Sequence, residues 1–241
     1  MTDHSQDDEH TQVPPVSGEQ TPITLGQAIR RSSIGLAIFA VFTAGIIAVT
    51  QTLTADRIDA NEREFEARAL YALTPVTLRD NDLLETSYSI ALPTLTETAL
   101  LRLDRDANWY QARLNGEVTA VILPLVAPKG YTEPIRLVAA IDASGILLGV
   151  RVISHKETPG LGDQIEVKKS DWITGFDGQS FDTIAPEQWQ VRKDGGAFDQ
   201  MTGATITPRA VVRAVARSLM FFDANRSVLL STTPDTPGAD S

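Results

Sequence analysis

Asp199-Gln200-Met201-Thr202-Gly203-Ala204-Thr205-Ile206-Thr207-Pro208, near the C-terminal end, is a loop of small residues that runs directly into a helix. Thr207 is the expected N-cap, since a threonine oxygen can accept from the first free backbone N–H groups. Pro208 then suits the first helical position, where a missing N–H costs nothing. Beyond it Val211, Val212, Val215, Leu219 and Phe222 recur at helical spacing and predict a buried stripe over 208–222. Arg209, Arg213 and Arg217 step by four along another face. The loop presents Thr205 beside a helix N-terminus, where unpaired N–H donors and the helix dipole favour a phosphate. Gly203 and Ala204 leave the Thr205 hydroxyl sterically open.

The chain around this stretch is long enough, at 241 residues, for one sizeable domain with a real core. It has no cysteine, which excludes disulfides, thiolate metal sites, iron–sulfur clusters and a cysteine nucleophile. A net charge of −10 argues against nucleic-acid binding, which needs basic patches to displace counterions. Of three histidines, His4 and His10 fall in an N-terminal stretch without apolar period, so a histidine-rich metal site is not expected. Residues 1–31, rich in acidic and small polar side chains, read as a disordered acidic tail.

Residues 32–55 carry no charge. A helix of that length spans roughly 36 Å at ~1.5 Å per residue, enough for a ~30 Å hydrocarbon core. A cleaved signal peptide fits poorly: the leader is long, the apolar run exceeds the usual h-region, and no small-x-small cleavage site follows. The run is therefore read as an uncleaved transmembrane helix. Arg30 and Arg31 precede it and Asp56 follows, so the positive-inside rule predicts a cytoplasmic N-terminus and a main domain across the membrane. Ala-, Glu- and Arg-rich residues 57–73 predict that the helix continues outward, with Ile58, Phe65, Ala69 and Leu73 near one face, until Pro75 stops it. Residues 76–98 give mixed signals and no assignment.

Residues 109–114 and 118–126 flank Asn115-Gly116, a dipeptide suited to a tight hairpin turn. Residues 135–141 and 146–153 form a second pair around Asp142-Ala143-Ser144-Gly145. The expected fold class is α+β: one N-terminal transmembrane helix, then an antiparallel sheet with flanking helices over 56–227, and a disordered tail over 228–241. After the last strand comes His155-Lys156-Glu157-Thr158-Pro159-Gly160-Leu161-Gly162-Asp163, a loop where backbone can approach a ligand closely. His155 in it reads as a solvated loop residue.

Two stretches carry a resemblance. Asp199-x-x-Thr202-Gly203-Ala204-Thr205 resembles the flavinylation motif of the FMN-binding domain shared by RnfG (also called RsxG) and NqrC, and Glu157-Thr158-Pro159-Gly160-Leu161-Gly162 resembles that domain's flavin-packing loop. The match of residues 199–208 and of Lys193-Asp194-Gly195-Gly196 is better to RnfG than to NqrC. In that family a flavin transferase takes FMN from FAD and esterifies its phosphate to the threonine closing the motif. The resemblance thus implies FMN bound covalently through a phosphoester to Thr205, with Thr202, Gly203, Ala204, Glu157, Thr158 and Leu161 as cofactor-binding residues and Asp199 recognised by the transferase. It leaves Trp172 and Trp189 two readings, stacking on the flavin or burial in the core, of which burial is the commoner for tryptophan.

The function implied is electron relay within an Rnf-type ion-translocating complex of the bacterial inner membrane, the domain being periplasmic. The implied partners are the complex's other membrane and peripheral subunits, the transferase and the bilayer, with no nucleic acid. An NqrC-like subunit of a sodium-pumping quinone reductase is the alternative, and a non-redox membrane-anchored scaffold is a third reading. A hydrolase is disfavoured, since no Gly-x-Ser-x-Gly elbow occurs and His155 is the sole imidazole of the expected domain.

Overall fold

Both hairpins form. The computed structural model describes residues 25–234, so the tail readings for residues 1–24 and 235–241 lie outside the described residues. Strand β1 (Ser87–Ser89), β2 (Asn108–Leu114), β3 (Glu117–Ala127), β4 (Ile135–Asp142) and β5 (Leu147–Ser154) make one antiparallel sheet in the order β1-β2-β3-β4-β5. Between β2 and β3, Leu114 pairs with Glu117, and the two turn residues Asn115 and Gly116 take φ of 54° and 83°. Left-handed backbone at both positions matches the twist of the strands, and Asn-Gly tolerates it best. Between β4 and β5 the Asp142 carboxylate accepts from the backbone N–H of Ser144 (2.8 Å) and Ile146 (2.9 Å), a side chain imitating a turn.

The sheet buries both faces. On one, Val121, Leu123 and Leu125 of β3 join Leu137, Ala139 and Ile141 of β4 in the larger core. Helix α2 (Ile206–Leu229) packs there through Val211, Val212, Val215, Leu219 and Phe222, as the helical spacing predicts. On the other face Ala120, Ile122, Val138 and Ala140 meet Ala69, Leu70 and Leu73, the last turns of helix α1 (Leu25–Leu73). The side chains of Ile58 and Phe65, expected on that stripe, lie outside the described set. Strands covered on both sides read as continuous apolar runs, which is why β3 is almost unbroken in Val, Leu and Ile.

Residues 76–98, unassigned by sequence, are ordered by side-chain hydrogen bonds without any period. Asn81 gives its amide to the Gln111 carbonyl (2.9 Å) and accepts from the Arg113 N–H (2.8 Å), while Arg79 bonds the Thr74 carbonyl (2.9 Å). Helix α2 runs beyond the expected 222 to Leu229, where buried Gln111 donates to the Leu229 carbonyl (2.8 Å) and satisfies a helix end. The fold is α+β.

Within α1, Ser33–Ala55 is long and apolar enough to cross a membrane, and none of it is buried against other protein. The chain divides at Arg57/Ile58 into an N-terminal unit holding this span and a C-terminal unit holding the sheet.

Candidate functional site

Three loops of the C-terminal unit converge on one carboxylate. Glu157, 5% exposed, accepts the Tyr131 N–H at 2.9 Å on one oxygen and the Thr207 hydroxyl on the other. It thereby ties the loop before β4 to the loop after β5 and both to the first turn of α2. The carboxylate sits at the helix N-terminus, where the macrodipole and unpaired N–H groups favour negative charge. Gly162 makes this approach possible: a Cβ there would stand 2.7 Å from the Glu157 oxygen and 2.9 Å from Thr207 Oγ1.

This corrects two expectations. Thr207 is not the N-cap. Helix α2 begins at Ile206 with Thr205 as its cap, and Thr207 is buried with its hydroxyl given to Glu157. Pro208 remains inside the first turn, where its missing N–H is harmless. Nor is His155 a solvated residue. Its Nδ1 accepts the Glu157 N–H at 3.0 Å, so the ring proton is on Nε2, which faces Glu166 Oε1 at 3.0 Å; the side chain is 13% exposed. An imidazole held at both ring nitrogens pins the loop rather than meeting solvent.

The two motif loops touch directly. Gly203 has φ 79°, and a Cβ on it would come within 2.9 Å of Leu161 Cδ2. Gly203→Val is therefore expected to cost about 1–2 kcal/mol in backbone strain before the clash is counted. Measured by chemical denaturation, an unchanged midpoint would contradict the packing of Leu161 on Gly203.

Thr205, half-buried at the cap, makes no capping hydrogen bond with its side chain, so its hydroxyl is uncommitted. Leu161 (41% exposed), packed on Gly203, and Ile206 (47%), next to Thr205 in the chain, are exposed apolar side chains of the two loops. Ala204 is half-buried and closes a tight turn by donating its N–H to the Met201 carbonyl (3.3 Å). Thr202 is exposed, as is Thr158, whose carbonyl accepts the N–H groups of Leu161 and Gly162, both at 3.1 Å. The structure thus brings Glu157 and Leu161 to the Thr205 loop, whereas Thr158 shapes its own turn.

The tryptophans separate. Trp189, 2% exposed, lies among Phe176, Phe181 and Phe198 and donates to the Ile184 carbonyl (2.9 Å): it belongs to the core. Half-buried Trp172 donates to the Asp199 carbonyl (2.8 Å) and so braces the start of the motif loop. The Asp199 carboxylate pairs with Arg192 at 2.9 Å, both about two-thirds exposed, and a pair so solvated holds the loop only weakly.

Two family profiles match this chain, one described as "RnfG N-terminal region" over residues 23–73 and one as "FMN-binding domain" over residues 130–220. The G subunit of the "ion-translocating oxidoreductase complex" of Pseudomonas aeruginosa (strain UCBPP-PA14) is 47% identical over 205 residues, covering 85% of this chain and 94% of that one. The chain belongs to the RnfG family. The proteins of the same name from Vibrio vulnificus (strain YJ016), 44% identical over 204 residues, and Vibrio cholerae (strain ATCC 39541), 40% identical over 202, cover 85% and 84% of this chain and 94% of their own length. These matches favour RnfG over the NqrC alternative. In this RnfG chain the FMN-binding region starts at the Tyr131 loop and encloses every residue that converges on Glu157. The residues present fit an FMN phosphate: an uncommitted hydroxyl, a helix N-terminus beside it and a left-handed glycine that clears the approach.

Proposed function

We propose that this chain is the flavoprotein member of an Rnf-type ion-translocating oxidoreductase complex, relaying electrons through FMN esterified to Thr205 by a flavin transferase. The carrying observation is the uncommitted Thr205 hydroxyl at the N-cap of α2, with Leu161 packed on Gly203 beside it. When bound, FMN supplies the electron-carrying chemistry and leaves the chain to supply attachment, orientation and tuning. Ile206 and Thr207, the first two helical residues, have N–H groups without intrahelical partners, and these would hold the phosphate. A phosphodiester carries one negative charge, which the helix end stabilises by about 0.3–1 kcal/mol. Leu161 and Ile206 offer the ring an apolar support that Glu157 holds in register. Thr202, Gly203 and Ala204 shape the attachment loop, Thr158 shapes the opposing one, and exposed Asp199 is open to recognition by the transferase.

The orientation is a cytoplasmic N-terminus and a periplasmic domain in the bacterial inner membrane, supported by Arg30 and Arg31 ahead of the span and Asp56 behind it. The proposed organisation is a tail ahead of helix α1, the span over 32–55, the flavin domain from 56 to the end of α2 at Leu229 rather than at the expected 227, and a second tail after it. The span holds no ionisable side chain, so ion movement belongs to partner subunits.

Protein purified from cells that hold an active flavin transferase should show flavin absorption bands, and protein from transferase-deficient cells should be colourless with the same far-UV spectrum. Colourless protein from both would leave only the scaffold reading. Protease added to spheroplasts should digest the large domain and spare residues before the span, and the reverse pattern would invert the orientation.

A further inference from the structure

The arginine row on α2 is not used by the flavin site, and its three members differ. Arg209 is neutralised by Asp194, to which it gives two hydrogen bonds of 2.5 Å. Half-buried Arg217 donates to two neutral acceptors, the carbonyls of Leu100 (3.0 Å) and Val126 (3.2 Å). Arg213 is exposed, and among the described residues it has no ion-pair or hydrogen-bond partner. A third cation comes from another element. Arg102 closes the 3-10 turn Thr98–Leu101 in left-handed conformation (φ 55°), is exposed, and has no such partner among the described residues either. Burial, followed by repulsion from Arg102 and Arg213, holds the Arg217 guanidinium below its ordinary range. Asp104, two residues from Arg102, is engaged by Arg136, and Asp199 by Arg192; Asp194 is engaged by Arg209 and gives Arg213 only a longer-range attraction. Arg217, bonded to the Leu100 carbonyl in the turn that Arg102 closes and one helical turn from Arg213, therefore stands between two like charges in a chain whose net charge is −10. Such a cluster costs stability unless an anion offsets it.

We infer that Arg102, Arg213 and Arg217 form a docking surface for an acidic segment, Asp or Glu side chains, of the partner subunit that exchanges electrons with the flavin. This rests on the reading of Thr205 as the flavin carrier for its place in electron flow, while the surface itself rests on the arginines. Arg213 lies eight residues along α2 from Thr205, about 12 Å at ~1.5 Å per residue, so a partner seated there is brought beside the cofactor. The planar fork of each guanidinium matches a carboxylate, and two of the three are fully presented. Complementary charge at the flavin's edge steers the encounter and fixes its register.

The test uses bacterial membranes holding the assembled complex. Arg102→Lys and Arg213→Lys keep the charge and supply an amine. A water-soluble carbodiimide activates a carboxylate in contact with that amine; the amine attacks, an amide forms and the urea leaves. The expected result is a cross-linked band joining this chain to one other subunit, with mass spectrometry placing the amide between position 102 or 213 and a partner Asp or Glu. The yield should fall several-fold in about 0.5 M salt. No intersubunit amide at either position overturns the proposal. The double charge reversal Arg102→Glu with Arg213→Glu, at exposed sites, should keep the fluorescent band of attached flavin on a denaturing gel and slow flavin reduction in the membrane about tenfold. An unchanged rate overturns the proposal. So does an unchanged rate accompanied by lost binding to phosphatidylglycerol vesicles, which would assign the patch to lipid. A dark gel with the intersubunit amide still formed supports the docking surface and removes the flavin reading alone.

Discussion

Val215→Asp is expected to destabilise the C-terminal unit by about 4 kcal/mol or more, lowering its thermal midpoint by roughly 10 °C. Val215 is fully buried on α2, in the core shared with β3 and β4. Its neighbours along the stripe, Val211 and Leu219, are buried too, so a carboxylate placed there meets only hydrocarbon. The group must either ionise without a partner or take up a proton, and both are costly. Arg213 and Arg217 stand on another face of the helix, and Arg217 already bonds two carbonyls. Thermal unfolding followed by circular dichroism measures the effect, and a midpoint equal to wild type would mean that the stripe does not face the core.

The hairpins were legible because two local signals agree at each: β-branched runs on either side, and a turn dipeptide or an Asx side chain between them. The larger part of α2 was legible from the spacing of its valines. Residues 76–98 were not, because Arg79 and Asn81 order that segment through hydrogen bonds to the backbone of Thr74, Gln111 and Arg113, which leave no period in the sequence. The start of α2 was misread for a related reason. Thr207 followed by Pro208 is a good local cap, but Glu157, fifty residues earlier, takes the Thr207 hydroxyl, and Thr205 moves to the cap with its own hydroxyl uncommitted. The role of His155 is hidden differently: its partners, the Glu157 N–H and Glu166, lie close in the chain but follow no periodic pattern. Motif matching singled out Glu157 without its bond to Tyr131, since nothing local to Tyr131 announces a carboxylate acceptor. Trp189 is buried and Trp172 half-buried; both meet Phe176, and the further packing of Phe181 and Phe198 on Trp189 makes the difference, which no local signal announces.

The second large effect concerns Thr205. Thr205→Val keeps the side-chain shape and removes only the hydroxyl, so it should abolish covalent flavin while the far-UV spectrum stays unchanged. Because the wild-type hydroxyl makes no capping bond, its loss leaves the helix intact, unlike a change at Thr207. Thr207→Val strands a buried Glu157 oxygen and should cost about 1–3 kcal/mol, with any flavin that is still attached found on Thr205. Thr202 is exposed and carries no buried contact, so Thr202→Val should leave stability unchanged and at most reduce the yield of flavinylation. The decisive measurement is in-gel flavin fluorescence after boiling in detergent, for wild type and Thr205→Val co-expressed with a flavin transferase, with the adduct located by mass spectrometry. The account predicts a fluorescent wild-type band whose FMN mass lies on Thr205, and a dark band for Thr205→Val. A Thr205→Val band that still fluoresces, or a wild-type band that is dark beside an active transferase, would contradict it.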